Sequence, residues 1–144
     1  MYQTTWDSSL KTESKTKKVF LEDFAEYLNI GMMSVADDDL YRKMDIDYIS
    51  QIGNSYEIKT YRDKPYISLE EISVKEWNRP GWIYTSKANY FIFVSGESRT
   101  MLILKNDIKF KDWWNKNKNK YQEIEDETKK GENIWHSSHR NIPL

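Results

Sequence analysis

A chain of 144 residues with 22 basic and 23 acidic side chains suits one domain and excludes a broadly basic nucleic-acid coat. It holds no cysteine, which removes disulfide frameworks, thiol nucleophiles and cysteine-based zinc centres. No apolar run is long enough to span a bilayer and no secretory leader pattern is visible, so a cytoplasmic protein with no membrane partner is expected.

The first dozen residues are polar, and 1–13 are expected to be loose. Leu21, Phe24, Ala25 and Leu28 then fall at helical spacing, which predicts one amphipathic helix over about 15–30. Ser14 or Thr16 would cap its start and Gly31 its end. Residues 37–40 read as a turn or a short helix. The period then changes to two. Met44, Ile46 and Tyr48 alternate with Asp45 and Asp47, predicting a strand over 44–49. Gly53-Asn54 signals a turn, and residues 56–61 form a second alternating strand.

Residues 66–74 predict a third strand. Arg79, Pro80 and Gly81 mark a turn. The run Asn-Tyr-Phe-Ile-Phe-Val at 89–94 is almost continuously apolar, as in a strand covered on both faces. Another strand follows over 99–104, after a turn containing Gly96. Phe110, Trp113 and Trp114 predict a basic helix starting near Asp107. Residues 115–133 are polar and expected to be partly helical or mobile. The stretch 134–144 would add an edge strand. The whole is an α/β domain, a central mixed β-sheet flanked by helices.

The chemistry concentrates at Asp47, Glu57 and Lys59. Glu57 and Lys59 are two apart in a strand, so they share a face while Ile58 points the other way. A charged pair on one face of an otherwise apolar strand is costly unless it is paired or holds an ion. Two carboxylates from adjacent strands make an oxygen-rich site for Mg²⁺, a hard cation. A neighbouring lysine can stabilise charge developing on a phosphate. This reading sets a condition on the hairpin. A two-residue turn pairing Ile52 with Ser55 would put Tyr48 opposite Lys59 and turn Asp47 to the other face. An odd loop, such as Ile52-Gly53-Asn54, or a bulge is therefore expected. Glu22 on the first helix and Glu70 on the third strand are further acids. Against these stands the plainer reading of a surface charge ladder.

The chain resembles the PD-(D/E)XK, or restriction-endonuclease-like, nuclease superfamily, especially its small phage and bacterial members. The likeness runs from about residue 22 to 142. It rests on Glu-Asp-Phe-Ala-Glu-Tyr-Leu at 22–28, Met-Asp-Ile-Asp-Tyr-Ile at 44–49 and Tyr-Glu-Ile-Lys-Thr at 56–60. It also includes Ile-Ser-Leu-Glu-Glu-Ile at 67–72 and the Trp-, Ser- and Ala-bearing stretch at 80–90. The resemblance implies a restriction-endonuclease-like αβββαβ core and Mg²⁺- or Mn²⁺-dependent hydrolysis of phosphodiesters. It makes Asp47 and Glu57 metal ligands, joined by the backbone carbonyl of Ile58; Glu70, from its place on the third strand, is a further candidate metal residue. It makes Lys59 the catalytic lysine and Glu22 the helix acid found in many members. Ile46 precedes Asp47 where the family name has proline, and Asn89 stands where aspartate is frequent.

The expected activity is an endonuclease acting on nucleic acid, with DNA favoured over RNA, in DNA processing, repair, junction resolution or restriction. Many members act as dimers because two cuts need two sites, so a homodimer is among the expected partners. Lys87 and the basic stretch with Lys109, Lys111 and Lys116 are the expected nucleic-acid-binding residues. The alternatives are a non-catalytic binding or inhibitory protein on the same fold, aimed at a host protein, and a structural domain whose charged strand is incidental. His136 and His139 read as surface histidines. Trp77, Trp82, Trp113 and Trp114 read first as packing residues and second as stacking surfaces for bases.

Overall fold

The computed structural model describes residues 2–144, with no account of the side chain of Tyr2. Its strands are β1 (Tyr2–Thr5), β2 (Met32–Ser34), β3 (Tyr48–Ser50), β4 (Ser55–Thr60), β5 (Tyr66–Val74), β6 (Arg79–Pro80), β7 (Tyr90–Val94), β8 (Met101–Lys105), β9 (Glu123–Lys130) and β10 (Asn133–Pro143). Its α-helices are α1 (Trp6–Phe20), α2 (Asp39–Lys43), α3 (Trp82–Thr85) and α4 (Ile108–Asn117). The strands form two five-stranded mixed sheets in place of the single sheet expected. One has the order β2-β3-β4-β7-β8 and the other β1-β9-β10-β5-β6.

The N-terminal segment is ordered structure. Thr5 caps α1 through Oγ1, which accepts the Ser8 backbone N–H at 3.2 Å. Asp7 in the first turn and Lys17 and Lys18 in the last complement the helix dipole. The helix therefore starts nine residues before the expected boundary of 15, because its first two turns carry no apolar stripe to reveal them. It widens into a π-helical turn at Leu21–Glu26 and stops at Asn29, which takes a left-handed φ of 53°. Residues 115–133 likewise finish α4, pass a 3₁₀ turn and form the whole of β9.

Thr16, Val19 and Phe20 bury one face of α1. Val19 and Phe20 pack on Tyr48, Tyr56, Ile58, Ile92 and Val94 of the first sheet. On the other face of that sheet, Phe91 and Phe93 join Leu69, Trp82, Ile83, Trp114 and Ile142 in a second cluster. β7 is thus buried on both sides, which explains its unbroken apolar run. Phe91, Ile92, Phe93 and Val94 are each at most 2% exposed, and each such burial is worth about 1.5–3 kcal/mol in transfer free energy.

Three sequence expectations change here. β5 leaves the first sheet and pairs with β6 and β10 in the second. The first strand of the β2-β3-β4 meander is Met32–Ser34, too short and too exposed to show a period. β10, expected at an edge, lies in the middle of its sheet between β9 and β5. No helix among the described residues is long and apolar enough to cross a membrane.

Candidate active site

The β3–β4 hairpin decides whether Asp47 and Glu57 meet. Tyr48 pairs with Tyr56 and Ile49 with Ser55. Ser50 N–H donates to the Asn54 carbonyl at 2.8 Å and Gly53 N–H to the Ser50 carbonyl at 2.9 Å. The loop is therefore the odd one, Gln51-Ile52-Gly53, with Gly53 at φ 88°. The Asp47 N–H donates to the Tyr56 carbonyl at 2.9 Å, so Asp47 sits level with Glu57. Oδ2 of Asp47 also accepts the Ile58 backbone N–H at 2.8 Å, which ties the carboxylate to the neighbouring strand.

β4 divides its side chains between two environments. Tyr56 and Ile58 face the α1 core. Glu57 and Lys59 face the other way, beside Phe91 and Phe93 of the parallel neighbour β7. Asp47, Glu57, Lys59 and Glu70 line one cleft of about 840 Å³ between the two sheets. Ile58 borders the same cleft.

The electrostatics there are strongly shaped by burial. Lys59 Nζ lies 2.7 Å from Glu57 Oε1 and 4.8 Å from the centre of the Trp82 ring. Burial pushes the Glu57 carboxyl up to about 8; the Lys59 ammonium opposes that rise, and Asp47 adds to it. Burial likewise raises Glu70, against the pull of Lys59 and of the Trp82 N–H, which donates to Glu70 Oε1 at 3.2 Å. For Lys59 burial acts downward, but the carboxylates of Glu57, Glu70 and Asp47 outweigh it and the ammonium is held above its usual value.

Asp47 has a second partner that the sequence did not disclose. Lys17 Nζ, on α1, lies 3.1 Å from Asp47 Oδ1 and 2.8 Å from Glu13 Oε1. Glu13 itself lines the cleft. Glu22, the expected helix acid, is not a lining residue. It sits on the π-helical turn with Oε2 2.8 Å from the Arg99 guanidinium. The acid that α1 brings to the cleft is thus two and a half turns earlier. Its only sequence signal was the Glu13–Lys17 spacing of four, which falls across the expected start of the helix.

The expected nucleic-acid contacts are not brought to the cleft. Lys87 is exposed between α3 and β7, and Lys109, Lys111 and Lys116 lie on α4. None of the four is a lining residue; Arg62 and Lys64, between β4 and β5, are. Trp82 borders the cleft while packing on Phe91 at 4.7 Å between centroids, and Trp114 is buried in the same cluster.

Asp47 and Glu57 are the residues that could hold a hard divalent cation, and each is also ion-paired, Asp47 with Lys17 and Glu57 with Lys59. Asp47 and Glu57 are neighbouring carboxylates at one level of a hairpin, and the buried Glu57 carries an electrostatic penalty that a cation relieves. Among the described residues no three His, Asp or Glu side chains converge closely enough to hold an ion by themselves. Mg²⁺ keeps several waters and is held by one or two carboxylates, so a two-carboxylate site matches its habit. No protein-family model, curated protein or solved structure matches the chain.

Proposed function

We propose that this protein is a divalent-metal-dependent nuclease that hydrolyses phosphodiester bonds, with DNA as its substrate. The observation that carries the reading is the hairpin register, which sets Asp47 and Glu57 side by side with Lys59 in one cleft. A two-residue turn would have separated them. The strand directions add support. β2, β3 and β4 run antiparallel, and β7 returns parallel to β4 after a crossover that contains α3. Together with α1 this order is compatible with an αβββαβ core, with α2 inserted between β2 and β3 and β5 and β6 inserted before α3.

In this reading Asp47 and Glu57 would hold the ion, with Glu70 as the nearby acid and the Ile58 carbonyl as the backbone ligand that the resemblance implies. A bound Mg²⁺ or Mn²⁺ supplies Lewis-acid polarisation of the phosphate. The Ile58 N–H keeps the Asp47 carboxylate oriented. The Lys59 ammonium, kept charged by three carboxylates, meets the negative charge that develops on the phosphoryl oxygens. Trp82 covers one side of that ammonium and limits its access to water.

The test is incubation of the purified protein with single-stranded, branched and supercoiled DNA in Mg²⁺ or Mn²⁺. Cleavage that vanishes in Lys59→Ala and Asp47→Ala supports the proposal. Absence of cleavage of any nucleic acid with either ion overturns it.

A further inference from the structure

The second sheet turns an unusual face to the cleft. Asp126 and Thr128 of β9, Ser137, His139 and Asn141 of β10, and Ser68 of β5 all line it. They alternate along their strands and pair across them. Ser137 is opposite Asp126, and Asn141 is opposite Ser68, whose hydroxyl donates to Asn141 Oδ1 at 2.7 Å. A sheet face enclosed by protein is ordinarily apolar, because buried polar groups cost free energy unless partnered. A hydroxyl, amide and imidazole face is suited to a polar ligand.

His139 stands at the centre of this face. It pairs in register with Glu70 on β5, and directly opposed residues of an antiparallel pair share a face. Glu70 in turn acts on Lys59 through its charge. His139 is therefore one side chain removed from the Lys59 environment. Its Nδ1 is hydrogen-bonded to Asp126 Oδ2, which fixes the ring, and Nε2 has no partner among the described residues. With Nδ1 committed to Asp126, Nε2 is the ring nitrogen left to meet a ligand. The register shift at this point leaves Glu71 of β5 as the extra residue and brings Glu70 opposite His139.

We propose that His139, oriented by Asp126, is a substrate-contacting residue that donates Nε2–H to a backbone phosphate of a single nucleic-acid strand lying in the cleft. The inference rests on the nuclease reading for its choice of ligand. A cleft of about 840 Å³ between two sheets is the size of a small-molecule pocket, about 300–1,000 Å³, a scale suited to a few nucleotides of one strand. The neighbouring hydroxyls and the Asn141 amide offer further hydrogen bonds to the same strand, and Arg62 and Lys64 border its path.

The test uses a short fluorescein-labelled oligothymidylate with Ca²⁺ in place of Mg²⁺. Binding is read by anisotropy for wild type, His139→Gln and Asp126→Asn, and Mn²⁺ affinity by calorimetry for each. Loss of one charge-assisted hydrogen bond should weaken oligonucleotide binding by about tenfold or more in His139→Gln. Mn²⁺ affinity should not change, because His139 is not a ligand. In the wild-type protein the ¹⁵Nε2 resonance of His139 should move as oligonucleotide is added while that of His136 stays fixed. This arm does not depend on a variant folding. An unmoved His139 resonance in the bound complex, unchanged binding by His139→Gln, or no binding at all overturns the proposal. Binding through His139 without divalent-dependent cleavage would uphold it and sink the nuclease reading. Cleavage requiring Lys59 but indifferent to His139 would do the reverse.

Discussion

Lys17 Nζ lies 3.1 Å from Oδ1 of Asp47, so the carboxylate at the head of β3 is held from the helix as well as from the neighbouring strand. The two side chains are only 20% and 13% exposed. Lys17→Met keeps the stem and removes the charge, leaving a largely buried carboxylate with one partner fewer. Breaking such a pair from one side should cost about 2–4 kcal/mol of unfolding free energy. Adding Asp47→Asn should recover part of the loss, because the two sites share one interaction. Denaturant melts of the two singles and the double measure this. Strict additivity would show that the contact carries no coupling.

Lys59 stands between Glu57 and the Trp82 ring. Lys59→Ala should lower metal-dependent cleavage by about 10²-fold or more, the usual effect of removing a group that meets transition-state charge. Lys59→Arg should not restore it, because a planar guanidinium cannot occupy the compact space of an ammonium against Trp82. Initial rates at saturating Mn²⁺ give the comparison. A fully active arginine variant would speak against a positional role.

Glu57 gives a pH dependence whose sign follows from its shift. Burial raises its carboxyl from 4.5 to about 8 in the folded chain. Over that interval the folded state holds a proton that the unfolded state has released. Stability of the metal-free protein should therefore fall as pH rises from 4.5 toward about 8, and level off above. Glu57→Gln removes the titration and should flatten this part of the profile. Thermal melts in chelator across the interval would reveal it, and equal slopes in the two proteins would contradict it.

Two glycines separate site from scaffold. A Cβ at Gly81 would lie 2.2 Å from the Glu70 carbonyl oxygen and 2.6 Å from its carbonyl carbon. Gly81→Ala must push β5 away from α3, shifting Glu70 and Trp82 together. A loss of about 2–3 kcal/mol and a marked fall in cleavage are expected. Gly53, in the β3–β4 loop, has open space around it but a φ of +88°. Gly53→Ala should cost about 1 kcal/mol through backbone strain and leave cleavage nearly intact. Rates at a temperature where both variants are folded distinguish the two.

The sequence carried the hairpin chemistry because a period of two is explicit there. Glu57, Ile58 and Lys59 had to alternate, and the demand that Asp47 join them required an odd loop, which is what Gln51-Ile52-Gly53 supplies. β5 and β7 were legible for the same reason, from long alternation and from an unbroken apolar run. The first two turns of α1 were not, since an exposed helix stretch has no stripe. The second sheet was also hidden. Its residues bear polar side chains because they face a cleft, and polar alternation looks like mobile surface in β9 and like an edge strand in β10 until the partner strands are known. That is why His139 read as a surface residue, and why Glu13 and Lys17 went unnoticed beside Asp47.

Parallel pairing of β1 with β9 joins Gln3 to Glu127 across 124 positions of chain. Seating β1 against the polar wall of the cleft is consequently the most topologically distant step of assembly. Contacts of such sequence separation carry a large closure entropy and form late. The acidic hairpin, by contrast, spans a dozen residues. Refolding should thus pass through a stage in which Asp47, Glu57 and Lys59 are already positioned while the opposite wall is still open, and competence to bind a strand should lag behind recovery of the first sheet.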